Sequence, residues 1–174
     1  YYDSPVGPVA GMGLARRIAH LTYRSESELD TRFGRSAQGE ESPASGGRFA
    51  VESYLDHHAN KLARRFDANT YIALTRAMSL FDLGEGRGGV ERSLGTITAP
   101  LTVVGIDSDR LFPLRLQQEI VDLTPGADQL HVLESVVGHD GFLVEEEQVA
   151  RFVQHALSRV ENPAPAVEKM VFHS

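Results

Sequence analysis

The sequence predicts an α/β protein: the end of a parallel sheet joined to a helical region. Three observations carry that reading. Residues 10–95 show helical periodicity and loops without a convincing strand. From residue 97 the order becomes strand, helix, strand, helix, which makes consecutive strands parallel. The first of those strands, Leu101 to Ile106, is apolar throughout except at Thr102, the pattern of a strand buried on both faces.

Each element has its own signal. Ala10 to Thr22 is rich in Ala, Leu, Ile and Arg and reads as a helix. Ser25 followed by Glu28 is a capping-box pair that starts a short helix to Phe33. Gly34 to Gly47 is polar and Gly/Ser-rich, so a mobile loop is expected. Phe49 to Phe66 places Val51, Tyr54, Leu55, His58, Ala59, Leu62 and Phe66 on one face, with Glu52, Asp56, Asn60, Lys61, Arg64 and Arg65 turned away. A further helix is expected over Asn69 to Phe81, broken by Gly84 to Gly89. After the first strand come a helix (Leu114 to Leu123), a turn at Pro125-Gly126 and a second strand (Gln129 to Leu133). A last amphipathic helix carries Val149, Phe152, Val153, Ala156, Leu157 and Val160 on one side. The division expected is 1–95 helical, 96–160 sheet-forming and 161–174 a disordered tail. Two parallel strands cannot make a sheet covered on both faces, so the reading places the remaining strands upstream.

Composition narrows the class. The 174 residues are 41% hydrophobic and 24% charged, as in ordinary globular proteins. A net charge of -7 argues against a nucleic-acid partner, which would need a basic face. With no Cys there is neither a disulfide framework nor a thiolate metal site, and a cytoplasmic setting fits. No apolar run approaches the ~18 residues that span a bilayer, so no membrane partner is expected. The chain begins at Tyr1 rather than Met, so upstream residues are expected as well.

The residues able to do chemistry lie after the two strands. The first strand leads into Asp107-Ser108-Asp109-Arg110-Leu111-Phe112-Pro113, the second into Gly138-His139-Asp140-Gly141-Phe142-Leu143. Ligands of open α/β sheets bind beyond the carboxyl ends of strands, where both loops fall. An Asp on one loop and a His on the next suit a Ser-His-Asp triad, in which Asp fixes the imidazole tautomer and His shuttles the nucleophile's proton. In α/β-hydrolases the chain order is Ser, Asp, His, so the Ser is expected before Asp109. No G-x-S-x-G is present; Gly34 to Gly39 has one residue too many and follows a helix. The nucleophile is therefore expected outside this chain. An Asp after a strand, or a lone Gly-His, is by itself more often a loop residue; the order and topology together carry the assignment. Asp107 rivals Asp109 as the acid. The spacing Asp-x-x-x-Pro to Pro113 favours Asp109 and leaves Asp107 to stabilise the loop.

Other candidates are weaker. His57 and His58 are adjacent and point to different helix faces, so they cannot share a metal as an i, i+4 pair would. His131, His155 and His173 have no partners in the pattern, and no metal site is expected. Gly84-x-Gly86-x-x-Gly89 matches a dinucleotide fingerprint as text but lacks the strand before it and a clear helix after it.

Several blocks together resemble the actinobacterial type of homoserine O-acetyltransferase. They are Gly13 to Ser25 (GLARRIAHLTYRS), Phe49 to Leu55 (FAVESYL), Gly86 to Gly89, Asp107 to Pro113 and Gly138 to Leu143. The resemblance runs from about Tyr2 to about Ser158 and marks the chain as a C-terminal portion. It implies an α/β-hydrolase core with an inserted helical lid domain, residues 1–95 being most of that lid. It implies a ping-pong transfer of acetyl from acetyl-CoA, a co-substrate rather than a bound cofactor, to L-homoserine for methionine biosynthesis. By matching motif, Asp109 would be the triad acid and His139 the base. Arg16 and Tyr23 would contact substrate, with Asp140 meeting its amine. Arg16 and Tyr23 are two helical turns apart, so they share a face with His20 between them. Arg suits a carboxylate through its planar fork. Arg17 and Arg24 form an equally spaced pair that the residues alone do not exclude. The family's lid helices commonly form a homodimer interface.

The readings left open are a related serine or homoserine O-succinyltransferase, more distantly an esterase, and a non-catalytic helical dimerisation module. Without the N-terminal portion of the protein, which would hold the elbow and oxyanion hole, the chain alone is expected to be inactive.

Overall fold

In the computed structural model, residues 1–3 and 7–161 are described, and they form two units, Tyr1–Phe81 and Asp82 onward. The expected tail over 162–174 lies outside the described residues; Glu161 ends a helix.

The first unit contains four helices: α1 (Val9–Tyr23), α2 (Glu26–Phe33), α3 (Ala50–Arg65) and α4 (Ala68–Leu80). Their starts follow local chemistry. Ser25 accepts the Glu28 N–H at 3.0 Å, and Asp67 accepts the Thr70 N–H at 2.7 Å, each satisfying an orphan donor of the first turn. At α3, Glu52 reaches back to accept the Phe49 N–H at 2.7 Å. Helix α1 packs along α3, where Met12 and Leu62 are buried with Ala68, and Ala63 and Tyr71 close around them. Replacing Leu62 by Ala there costs about 2–5 kcal/mol by the usual cavity penalty. An ion pair, Arg17 to Asp56 at 2.6 Å, ties the same two helices at their half-exposed rim.

The segment 34–47 is not the loose loop its composition suggests. Ala37 bridges Phe49 in antiparallel fashion, and the Ala50 N–H donates to Ser36 O at 2.9 Å. Arg48 binds both carboxylate oxygens of Glu41, at 2.6 and 3.1 Å. A 3-10 turn fills Pro43–Ser45. The bidentate Arg–carboxylate clamp, invisible to local composition, closes the loop.

The second unit holds α5 (Val90–Gly95), β1 (Leu101–Ile106), α6 (Leu114–Leu123), β2 (Ala127–Leu133), a 3-10 turn (His139–Leu143) and α7 (Glu146–Glu161). The two strands pair in parallel, as the β-α-β order requires, and α6 crosses between them. Helix α5 packs against α6. It follows the 84–89 glycines, so a short helix does come after that segment, but α4 and not a strand precedes it, which rules out a dinucleotide turn. Val103, Ile106, Val121 and Leu133 are buried between strands and helices. Val104 and Val132 stay half-exposed on the sheet, and Val153, Leu157 and Val160 on α7 are also exposed.

Register runs Val103↔Leu130, Val104↔His131, Gly105↔Val132 and Ile106↔Leu133. Between Leu101↔Ala127 and Val103↔Leu130, β2 advances three residues while β1 advances two. That extra residue is a β-bulge, which re-aims the side chains beside it.

Candidate active site

Strand β1 delivers Asp107, Ser108 and Asp109 directly past its carboxyl end, and β2 delivers Ser135 to Asp140 past the neighbouring one. Side chains near the strand ends stitch these loops together. Asp107 Oδ1 accepts the Ser135 N–H at 3.0 Å. Ser108 Oγ donates to Ser135 O in a short bond and accepts the Gly138 N–H at 3.0 Å. Ser135 Oγ in turn accepts the Val137 N–H at 3.2 Å.

Within that frame Asp109 and His139 meet. His139 Nδ1 lies 2.8 Å from Asp109 Oδ2, and the Asp109 side chain is only 5% exposed. Oδ1 of the same carboxyl accepts the N–H groups of Leu111 and Phe112, at 2.7 and 2.9 Å. These bonds fix the carboxylate plane before the imidazole arrives. A carboxylate only accepts, so Nδ1 is the donor in this contact. Phe112 and Phe142 set ring edges against the imidazole, with centroids 5.2 and 6.2 Å away.

Two glycines make the approach possible. Gly138 sits at φ +88°, ψ -148°, a conformation that side chains disfavour, and it opens the turn that carries His139. A Cβ on Gly141 would fall 2.9 Å from Ser135 Cβ, so that turn settles onto the strand end only without one. Asp109, His139, Phe112 and Phe142 border a largely apolar cavity of about 380 Å³, completed by β1 and by Val149, Phe152, Val153 and Ala156 of α7.

Sequence reasoning places Asp109 and His139 on successive loops, and the structure brings them into contact. Asp107 instead binds the backbone of the neighbouring loop. Asp140 follows His139 in the same turn and is half-buried. Ser108, Ser135 and Phe112 carry no signal of their own in the sequence. A hydroxyl beside a strand end is a common residue, and only the parallel register reveals what faces it.

In the first unit, Arg16 and Tyr23 do share a wall. They line a cavity of about 160 Å³ with Ala19, Leu62, Phe66 and Tyr71. His20 does not stand between them as the spacing suggests. It is buried, with Nδ1 3.1 Å from Tyr54 Oη and its ring centroid 4.0 Å from that of His58, the rings tilted by 35°. Arg17 is engaged by Asp56, and Arg24 lies 3.8 Å from Glu28, which separates both from the Arg16 cavity.

The expectation that His131 and His155 lack partners is corrected. Both place Nε2 on Asp128 Oδ2, at 3.1 and 2.6 Å. Their sequence separation hides this, because the bulge in β2 and the return of α7 are both needed. Among the described residues, no helix is long and apolar enough to cross a membrane.

No protein-family model matches the chain. A curated homoserine O-acetyltransferase of Thermobifida fusca (strain YX) is 58% identical over 160 residues, which are 91% of this chain and 42% of that protein. One from Mycobacterium sp. (strain KMS) is 54% identical over 161 residues, covering 92% and 43%. The chain thus spans about two-fifths of the length of the curated relatives it matches. Among solved structures, the homoserine O-acetyltransferase from Bacillus anthracis superposes with a TM-score of 0.69 at 22% identity, over 86% of this chain and 42% of that one. At that identity the likeness speaks for the fold, which is the α/β-hydrolase fold. Its two-stranded parallel sheet is the end of that fold, and over nine-tenths of its length the chain is similar in sequence to curated homoserine O-acetyltransferases.

Proposed function

We propose that the protein carrying this chain transfers acetyl from acetyl-CoA to L-homoserine, with this chain supplying the triad acid, the triad base and the lid. The observation that carries the reading is the 2.8 Å contact between Asp109 and His139 on neighbouring loops at the carboxyl end of a parallel sheet. The nucleophilic Ser comes from the N-terminal portion of the same protein. Exposed apolar side chains on the sheet and on α7, such as Val104, Leu157 and Val160, support further core packing against this unit.

In the first half-reaction His139 Nε2 takes the Ser proton as the hydroxyl attacks the thioester carbonyl. The C–S bond then breaks, and the same proton leaves with the CoA thiol. In the second, His139 takes the proton of the homoserine hydroxyl, which attacks the acyl-Ser. O-acetyl-L-homoserine departs and the proton returns to Ser. Asp109 holds the tautomer through both. The resemblance assigns Arg16 and Tyr23 of the first unit, and Asp140 of the second, to substrate binding, Arg16 suiting a carboxylate and Asp140 an ammonium. Leu14, Ile18 and Leu21 on α1, with Ile72 and Met78 on α4, are exposed and support a homodimer through the lid helices. The setting is the cytoplasm, as methionine biosynthesis requires.

The test is release of CoA thiol from acetyl-CoA in the presence of L-homoserine. The complete protein is expected to turn over and to yield O-acetyl-L-homoserine, whereas the 174-residue chain alone is expected not to. Preference for succinyl-CoA or for L-serine in the complete protein would move the reading to that donor or acceptor. Normal turnover by the chain alone would overturn the assignment of the nucleophile.

A further inference from the structure

At the end of the sheet away from Asp109 and His139, three side chains converge. Asp128 belongs to the start of β2, His131 follows three residues later, and His155 comes from α7. In a regular strand, positions three apart face opposite sides. The extra residue of β2 between Ala127 and Leu130 removes that alternation and lets Asp128 and His131 meet. Bulges are retained where a side chain must be re-aimed, so the irregularity points to a use for the cluster.

The geometry is that of a ligand set. Both imidazoles present Nε2 to one oxygen, Asp128 Oδ2, and the three donor atoms lie within 4.8 Å of one another. A tetrahedral site with bonds of about 2.0–2.1 Å spaces its ligand atoms about 3.3 Å apart, and the two Nε2–Oδ2 distances here are 3.1 and 2.6 Å, so small side-chain shifts would admit an ion. Arg159, one turn beyond His155, occupies the other oxygen, Asp128 Oδ1, at 3.4 Å. It also donates to Leu101 O at 2.7 Å and Gly126 O at 3.0 Å, so it is anchored by backbone and orients the carboxylate from outside. The His155 side chain is 41% exposed, which leaves an entry path and room for a water as fourth ligand.

We propose that Asp128, His131 and His155 form a binding site for a divalent transition-metal ion, of which zinc best suits two imidazoles and one carboxylate. Bound there, the ion ties α7 to the start of β2. The site is independent of acyl transfer, lying at the other end of the strand from the catalytic loop.

The full chain, stripped with EDTA, is titrated with Co²⁺ and its visible absorption recorded. One equivalent is expected to give the bands of a four-coordinate ion, and Zn²⁺ is expected to displace it. His155→Ala and Asp128→Asn should each weaken binding by at least about tenfold, while His57→Ala, on exposed helix surface, should not. Absence of saturable binding, or binding undiminished in both site variants, overturns the proposal. Should a variant fold poorly by circular dichroism, imidazole ¹⁵N resonances of the unsubstituted chain decide instead. Zn²⁺ is expected to move those of His131 and His155, and movement confined to other histidines overturns the site.

Discussion

Each end of the two-stranded sheet carries a carboxylate bound to histidine, and the two are wired differently. At the carboxyl end Asp109 meets one histidine and two backbone N–H groups, with its side chain almost wholly enclosed. At the other end Asp128 is a hub shared by two histidines and an arginine, and it stays partly open to solvent. A one-to-one contact with a pre-set carboxylate orients an imidazole. A shared carboxylate gathers elements together. The contact alone therefore does not mark a catalytic pair; the proposed role of Asp109 and His139 rests on their position beyond the strand ends.

Breaking the two ends separately gives the largest contrast. In the complete protein, His139→Ala is expected to lower kcat/KM on the order of 10⁴-fold or more, and Asp109→Asn on the order of 10⁴-fold, since triad members act as a unit. His155→Ala is expected to leave the rate within about twofold, because its carboxylate serves structure and not proton transfer. Steady-state acetyl transfer measures all three. Equal losses at both ends would erase the distinction.

The next contrast lies within the carboxyl end. Ser108→Ala removes the link from Ser135 O and Gly138 N–H to the β1 loop. Misplacing His139 by a fraction of an ångström to an ångström costs up to about 10²-fold in rate. The loss should fall on kcat with little change in KM, and the circular dichroism spectrum should not change. Asp107→Asn, which keeps an oxygen for the Ser135 N–H and loses only the charge, should show a smaller effect in the same direction.

Those two ends also measure what was legible in the sequence. Strand β1, helix α6 and the loop positions of Asp109 and His139 follow from apolar runs and chain order, which are local. The stitching by Ser108 and Ser135 depends on strand register, and the Asp128 cluster depends on a bulge plus a helix 27 residues further along. Neither has a local signal. The hydrogen bonds that close the 34–47 loop lack a local signal for a related reason. Its glycines and serines are what loose loops contain, and the Glu41–Arg48 clamp is a pairing rather than a composition.

At the opposite end, Arg159→Met tests whether the hub is structural. Arg159 satisfies two backbone carbonyls besides Asp128, and a hydrogen bond involving a charged group contributes about 1.5–3 kcal/mol net of water when fully formed and enclosed. We expect a net loss of about 2 kcal/mol in urea unfolding, with acetyl transfer by the folded protein nearly unchanged.

A third histidine setting, with no carboxylate at all, supplies the smallest effect and completes the contrast. His20 is 4% exposed, and among the described residues its Nε2 is buried without a hydrogen-bond partner. Burial, then the neighbouring His58, Arg16 and Arg24, push its pKa down to about 4 from 6.5. Between those values the unfolded chain binds the proton and the folded chain does not. Stability from this group is therefore complete above pH 6.5 and is lost as pH falls toward 4. The slope contributed is at most roughly 1.4 kcal/mol per pH unit. Replacing His20 by Phe should flatten the dependence of the urea midpoint on pH in that window, leaving the part due to His58, whose pKa burial also lowers. A carboxylate beside His20 would reverse the sign, as a partner stabilises the protonated ring instead of excluding it. An unchanged slope in His20→Phe would mean that the helical unit titrates through other groups, and that burial without a partner is not what keeps this imidazole neutral.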